Sequence, residues 1–223
     1  MKVLTQLPVW PASDPWPKSH ALGPEHNYAA GAVLFRQGEP ITSLFLIESG
    51  LVKLVRSTDR AEDLLIALRA PGSLIGVHTA ILGERHPVTA TTAASSTMRA
   101  LSLNDFRHLH GSSLSVCAWL LRRQAAEMLD QIQLLGASRT SRLRRLERLL
   151  RGFVRAGLIT ARPEGWRLDL PLKHCEIAQA VGCCPEHVSR LLTEMERNGL
   201  LMRRGRTLLL PTGSPLLTPD IVD

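Results

Sequence analysis

The chain has 223 residues, of which 44% are hydrophobic, so it is long enough to bury one large core or two modest ones. Its cysteines, Cys117, Cys175, Cys183 and Cys184, show no C-x-x-C pair and no even spacing, which argues against a disulfide framework and favours the reducing cytoplasm. The net charge of +7 is concentrated at one end, because residues 136–223 carry 15 Lys and Arg against 9 Asp and Glu, and this basic segment indicates a nucleic-acid partner.

Residues 1–28 are predicted to form an irregular N-terminal arm. Prolines interrupt regular structure in this segment at Pro8, Pro11, Pro15 and Pro17. They also break up the apolar core that a secretory signal requires, and no apolar run in the chain approaches the roughly 18 residues of a membrane span. Trp10 and Trp16 are expected to pack the arm onto the body of the protein.

Residues 29–110 are predicted to form a compact β-roll. Short alternating or β-branched runs, such as "SLFLIESGLVKLVR" and "VTATTAASSTMRALS", are separated by turn signals about every 8–12 residues, which is typical of a small all-β domain. The glycines expected at turns that need positive φ are Gly31, Gly38, Gly50, Gly72 and Gly76.

A helix with a heptad pattern is predicted over residues 111–136. Apolar residues recur there with alternating spacings of four and three, which predicts a seam for a partner helix. The seam residues are Leu114, Ala118, Leu121, Ala125, Met128, Ile132 and Leu135. Val116, Trp119 and Leu120 form a second face that is expected to pack on the β-roll. The pattern favours a homodimer over the alternative, the core helix of a monomer.

Residues 137–223 are predicted to form a winged helix-turn-helix domain. The stretch "GASRTS" (136–141) is interpreted as a hinge, followed by an arginine-rich helix whose charges are either solvated or near phosphates. A helix over 173–181 then meets Gly182, which permits a sharp turn, and Pro185 suits the first position of the next helix. The closing "LLMRRGRTLLL" predicts a hairpin, the wing.

The second helix of this motif presents a polar stripe opposite its apolar face. Its apolar face is formed by Val188, Leu191, Leu192 and Met195. In a DNA major groove, arginine can donate to guanine O6 and N7, and a carboxylate can accept from cytosine N4, whereas wing arginines would contact the backbone. The candidate DNA-binding residues are Glu186, His187, Ser189, Arg190, Thr193, Arg203, Arg204 and Arg206. The alternative is a solvated i,i+4 ion pair between Glu186 and Arg190.

The segments "GEP…LFLIESGLVKL" and "IAQAVGCCPEHVSRLL", with the long helix between them, resemble the CRP/FNR transcription regulators over residues 29–211. The resemblance implies an α+β fold with a cyclic-nucleotide-binding-like β-roll, a dimerisation helix and a winged helix-turn-helix. It also implies a homodimeric activator that binds double-stranded DNA and RNA polymerase in the cytoplasm. Glu186, Ser189 and Arg190 match the family's E-x-x-S-R pattern, which implies a TTGAT-N4-ATCAA inverted repeat. Pro185 stands where the cyclic-AMP receptors have another arginine.

The same resemblance bears on what the β-roll binds. The candidate effector pocket comprises Gly76, Val77, His78 and Arg85, in "IGVHTAILGERHPVTA". Val77 replaces the ribose-binding glutamate of the family, and no Arg-Ser/Thr pair follows, which implies that cyclic AMP is not the effector. The absence of cysteine before Cys117 implies that the family's iron–sulfur cluster cannot form.

The effector is therefore left open among three interpretations. His78 matches the position of the haem-ligating histidine in the carbon-monoxide sensors of the family, although Gly76 replaces the cysteine that accompanies it. The protein is thus a haem-based gas or redox sensor, a regulator with another effector, or an effector-independent regulator whose β-roll is a scaffold. A further interpretation is redox sensing, in which oxidation of Cys183 or Cys184 beside the DNA helix disturbs DNA binding. The alternative is that these cysteines are small packing residues. An enzyme is not expected, because no nucleophile–base–acid set or metal cluster is evident.

Overall fold

The computed structural model of the chain describes residues 16–17, 22–59, 63–136 and 141–218, with the side chains of α3 described as far as Leu129. The strands are β1 (Glu25–Tyr28), β2 (Val33–Phe35), β3 (Ser43–Ser49), β4 (Val52–Ser57), β5 (Asp63–Arg69), β6 (Leu74–Ile75), β7 (Thr89–Thr92), β8 (Ser96–Ser102), β9 (Ile159–Arg162), β10 (Gly165–Asp169), β11 (Met202–Arg204) and β12 (Thr207–Leu210). The helices are α1 (Val77–Leu82), α2 (Leu103–Ser112), α3 (Leu114–Gly136), α4 (Arg142–Arg155), α5 (His174–Val181) and α6 (Pro185–Arg197).

Two antiparallel four-stranded sheets form the predicted β-roll, in the orders β1-β8-β3-β6 and β2-β7-β4-β5. All five glycines expected at turns have positive φ. The reason is clearest at Gly50, between β3 and β4, where φ is 92° and a Cβ atom would stand 2.2 Å from the Ser96 Oγ atom. The α+β prediction, with sheets first and a helical domain after them, is confirmed.

The N-terminal segment is less irregular than predicted. Strand β1 lies within the residues assigned to the arm, and it pairs antiparallel with β8 from Glu25 to Tyr28. Its sequence, EHNY, lacks the apolar alternation that marks a half-buried strand, because it is an edge strand with mostly exposed side chains. Trp16 packs edge-on against Trp119, with ring centroids 5.1 Å apart, as expected. Trp10 lies outside the described residues.

The central helical region consists of two helices instead of the single helix predicted from residue 111. Helix α2 fills residues assigned to the β-roll, and the break falls at Ser113. The Ser102 hydroxyl caps α2 by accepting a hydrogen bond from the Asp105 backbone N–H over 3.0 Å. This Ser-x-x-Asp spacing is a helix-start signal that the strand-like run ending at Ser102 obscures.

Helix α3 has the two faces that the sequence predicts. Val116, Trp119 and Leu120 are buried against the β-roll in one apolar cluster with Leu44 and Phe106. On the other face, the exposed fractions are 85% for Leu114, 71% for Leu121 and 65% for Met128. Ala118 is half-buried and Ala125 is exposed, whereas the side chains of Ile132 and Leu135 lie outside the described residues.

The C-terminal part packs α4, α5 and α6 beside a sheet with the order β11-β12-β10-β9. Ser141, the last residue of the predicted hinge, caps α4 by accepting from the Arg144 backbone N–H. The interior of the hinge, residues 137–140, lies outside the described residues. Within the parts of the chain that the structure describes, no helix combines the length and apolarity of a membrane span.

Replacing Trp119 with Ala should lower the free energy of unfolding by about 3–5 kcal/mol, because truncating a large buried aromatic side chain leaves a cavity. Leu82→Ala is the control, since this apolar side chain is 67% exposed, and it should change stability by less than about 0.5 kcal/mol. Urea denaturation at one fixed protomer concentration measures both variants. A Trp119→Ala effect as small as that of the control would contradict the packing of α3 on the β-roll.

Candidate DNA-binding surface

The turn between α5 and α6 sets the direction of the second helix. Gly182 ends α5 in the left-handed conformation, with φ of 75°, and its N–H donates to the carbonyls of Ala178 and Gln179. Arg145, which lies on α4, donates from Nη1 to the Val181 carbonyl over 3.3 Å. A Cβ atom at Gly182 would stand 3.1 Å from that nitrogen. Arg145 therefore braces the turn, a use different from the solvated or phosphate-facing roles considered from sequence.

Helix α6 is held by its apolar face, as predicted. It begins with Pro185 at its first turn, and Val188, Leu191, Leu192 and Met195 are buried between α4, α5 and the sheet. Because side chains four residues apart lie on one face of a helix, this burial turns the polar stripe outward. Glu186 and Arg190 are exposed, whereas His187, Ser189 and Thr193 are half-buried.

The leading end of α6 combines a carboxylate with a guanidinium. The backbone N–H of Glu186 itself, then the Cys184 thiol, holds the pKa of the Glu186 carboxyl below its usual value, and Arg190 acts in the same direction. The carboxylate is therefore ionised near neutral pH and acts only as a hydrogen-bond acceptor, while Arg190 acts only as a donor. This pair offers complementary groups to the edges of a base pair.

The wing hairpin of β11 and β12 is tied to α6 by Arg203. Its Nη2 donates to the Thr193 hydroxyl over 3.0 Å, its Nη1 donates to the Ser189 carbonyl over 3.3 Å, and its backbone N–H donates to Glu196 over 2.9 Å. Sequence reasoning assigned Arg203 to the DNA backbone. The structure instead gives its guanidinium partners on α6, so the side chain fixes the wing against the helix.

The other two wing arginines differ in their surroundings. Arg206 donates from Nη2 to the carbonyls of Leu170 and Leu172, over 3.2 and 3.3 Å, and so anchors the segment that leads into α5. Both Arg204 and Arg206 are exposed, but Arg204 lies next to Gly205, where φ is 64° and the hairpin turns. Of the three, Arg204 has the position best suited to reach a phosphate.

Two family models match the chain. One, described as the cyclic nucleotide-binding domain, matches residues 25–113, and the other, described as the Crp-like helix-turn-helix domain, matches residues 116–212. The chain belongs to the CRP/FNR family of transcription regulators. Its helix-turn-helix is therefore a DNA-binding one, and the chain is a transcription regulator and not an enzyme.

Relatives and solved structures of the CRP/FNR family agree with this assignment. The transcriptional activator FnrA of Stutzerimonas stutzeri is 29% identical over 183 residues, which are 79% of this chain and 72% of FnrA. A CRP family regulator from Thermus thermophilus has a TM-score of 0.67 at 25% identity, covering 86% of this chain and 94% of that one. FixK2 from Bradyrhizobium japonicum shares the fold, with a TM-score of 0.68 at 20% identity, covering 85% and 93%.

The candidate effector residues of the β-roll lie at the start of α1 and just after its end. Val77 is buried and apolar, so it offers no acceptor for a ribose hydroxyl. Arg85 is exposed, and its Nη1 donates to the Gly38 carbonyl over 3.0 Å. Gly76, with φ of 90°, begins α1. His78 is exposed on that helix, and its Nε2 atom lies 2.6 Å from the Gln124 Oε1 atom of α3. The His78 side chain thus connects α1 to α3.

Cys183 and Cys184 lie within the turn between α5 and α6, but only Cys184 is exposed. Cys183 is half-buried, and burial raises the pKa of its thiol, followed in effect by the neighbouring Cys184. A thiol with a raised pKa is a poor nucleophile near neutral pH, which favours the packing interpretation for Cys183. Cys184 is exposed and precedes the first turn of α6.

Gly182→Ala should destabilise the protein more than Gly157→Ala does. Both glycines have nearly the same φ, 75° and 74°, so both variants lose about 1–2 kcal/mol by forcing alanine into the left-handed conformation. Only the Cβ atom at residue 182 would also press on Arg145; that at residue 157 meets open space among the described residues. Denaturant unfolding measures the difference. Equal losses would contradict the bracing role of Arg145.

Proposed function

We propose that the chain acts as a homodimer that reads an inverted DNA repeat of the TTGAT-N4-ATCAA type. The observation that carries the proposal is the exposure of Glu186 and Arg190 together at the leading end of a helix whose other face is buried. Major-groove readers of this class place the start of the second helix against base edges. Arg190 would donate to guanine, and Glu186 would accept from cytosine N4.

The exposed seam of α3 supports the dimer. Leu114, Leu121 and Met128 are large apolar side chains that lie on one stripe in contact with solvent. A contiguous exposed apolar surface on a soluble protein is typical of an interaction site, and a heptad pattern fits a second copy of the same helix. A two-fold dimer would hold two α6 helices about one DNA turn apart, roughly 34 Å, which matches an inverted repeat.

The other candidate DNA-binding residues divide into three groups in this proposal. Ser189, Thr193 and His187 flank the reading pair and complete the surface that faces the groove. Arg204 neutralises a backbone phosphate, while Arg203 and Arg206 keep the wing and the start of α5 in place for it. Phosphate contacts of this kind position the protein, and base contacts select the sequence.

In this proposal the β-roll is a scaffold, and the winged helix-turn-helix domain reads DNA without a bound cyclic nucleotide. The apolar Val77 supports this, as does the contact of His78 with Gln124, which occupies the Nε2 atom that a haem iron would need. The effector-independent interpretation is tested by titrating operator DNA with protein free of ligand and metal. Specific binding under these conditions supports the scaffold role, whereas binding only after haem addition, with a Soret band, supports a haem sensor.

We propose double-stranded DNA, a second copy of the chain and RNA polymerase as the partners, and the cytoplasm as the compartment. FnrA is named a transcriptional activator, which supports activation as the direction of control.

Arg190→Ala should weaken binding to the inverted repeat by about 1–3 kcal/mol and relax selection for guanine, because a bidentate base contact is lost. Binding to variants of the half-site, measured by fluorescence anisotropy, gives both quantities. Arg204→Ala is the matched control in the same domain. It should weaken all sequences alike and lower the salt dependence of binding by about one phosphate contact. An Arg190→Ala variant that behaves like Arg204→Ala would contradict base reading by Arg190.

Leu121→Lys should produce monomers, because it places a charge in the centre of the apolar seam where burial of an ion is costly. Met202→Lys is the control, since Met202 is also an exposed large apolar residue but lies on the wing. Sedimentation velocity measures the oligomeric state of both variants. A Leu121→Lys protein that remains dimeric would show that the dimer forms through another surface.

A further inference from the structure

One side chain of the DNA-binding domain makes two hydrogen bonds to the backbone of the β-roll. Gln179 lies on α5, the first helix of the helix-turn-helix. Its Oε1 atom accepts from the Leu65 backbone N–H over 2.7 Å, and its Nε2 atom donates to the Asp63 carbonyl over 3.0 Å. Strand β5 is at the edge of its sheet, so among the described residues these backbone groups have no strand on that side. The Gln179 carboxamide takes the place of the next strand.

An ion pair lies beside this contact. Lys53 on β4 pairs with Glu176 on α5, one helical turn before Gln179, and both side chains are largely shielded from solvent. Glu176 also accepts from the Lys173 backbone N–H over 2.8 Å, which caps the start of α5. The Glu176 carboxylate therefore fixes both the start of α5 and the position of this helix on the β-roll.

Apolar packing and a second ion pair extend the connection to the central helix. Leu65 and Leu68 of β5 belong to the same buried cluster as Ile177 and Val181 of α5. At the other end of β5, the Arg69 Nη2 atom lies 3.3 Å from the Glu127 Oε2 atom of α3. The hairpin of β4 and β5 thus contacts both α3, which has the apolar seam, and α5, which leads into the turn at Gly182.

We propose that Gln179 is a positioning residue: by clamping α5 to β5, it fixes the orientation of α6 relative to α3 and so sets the spacing of half-sites that a dimer accepts. This inference rests on the proposed function, because a spacing exists only for a dimer on an inverted repeat. The clamp does not block DNA, since Glu186, Arg190 and Arg204 are exposed while the contacts of Gln179 are in place. The clamp instead determines which spacing between two half-sites the dimer can bind.

Operators of different spacer length test the clamp. Each added base pair turns one half-site by about 35° and moves it by about 3.4 Å relative to the other, so a rigidly held pair of recognition helices accepts one spacer. Gln179→Met keeps the length of the side chain and removes both hydrogen bonds. Its preference for the best spacer over spacers changed by one or two base pairs should fall about tenfold, the effect expected when two hydrogen bonds are lost.

A measurement without DNA tests the contact itself. Hydrogen exchange of the Leu65 amide should be faster in Gln179→Met, because this N–H loses its acceptor on α5. Lys53→Met is a second variant that weakens the clamp from the β-roll side and leaves the cap of α5 intact, so it should also relax spacer preference. Lys53→Arg is its matched control, since it retains the charge that pairs with Glu176 and should retain the wild-type preference.

The outcomes separate the two proposals. Faster exchange at Leu65 together with relaxed spacer preference in Gln179→Met and Lys53→Met, but not in Lys53→Arg, supports the clamp. Unchanged exchange, or faster exchange with an unchanged spacer preference, overturns it. A wild-type protein that prefers no inverted repeat at any spacing overturns the proposed function instead, and the clamp as a device for spacing falls with it.

Discussion

The burial of one face of α6 is the constraint on which the DNA-binding surface depends. Val188, Leu192 and Met195 are almost completely inaccessible to solvent, so the rotation of the helix about its axis is fixed by packing. With about 3.6 residues per turn, that rotation places Glu186 and Arg190 on the opposite side. The turn at Gly182 and its brace from Arg145 then fix the direction in which the helix points. Base reading requires that both the rotation of α6 about its axis and its direction are fixed, because a bidentate contact tolerates little rotation.

Helix α3 sets a second constraint, because it has two apolar faces and the β-roll covers only one. Trp119 and Leu120 satisfy the covered face, whereas Leu121 and Met128 remain in solvent within a single chain. Among the residues that the structure describes, nothing buries this face, and a heptad stripe is complementary to itself. In the proposed dimer the same helix therefore stabilises the protomer and pairs it with a second copy. A pairing role for α3 explains why the sequence has a heptad pattern of apolar residues that a single chain leaves exposed.

The features that could be predicted from sequence are those fixed by local chemistry. Glycine at a left-handed turn and proline at a helix start identified the turn at Gly182 and the start of α6 at Pro185, and helical periodicity identified the faces of α3. Edge strand β1 escaped prediction because its exposed EHNY has no apolar alternation. The partners of Arg203 and Gln179 escaped it because they are set by tertiary folding: Gln179 bonds to residues more than 110 positions away. The type of a residue shows that its side chain can form hydrogen bonds, but it does not show which partners the side chain has in the folded protein.

The connection through β5 gives the β-roll a route to influence DNA reading that requires no bound nucleotide. One strand bonds to α5 through Gln179 and to α3 through the Arg69–Glu127 pair, so the angle between these helices depends on the strand that joins them. Any coupling between two sites is reciprocal, so DNA that selects one orientation of α6 must also stabilise the contacts of β5 that permit it. A ligand would act on the same equilibrium only through different affinities for the clamped and unclamped states. The scaffold and sensor interpretations therefore share one mechanical element and differ only in whether a small molecule biases it.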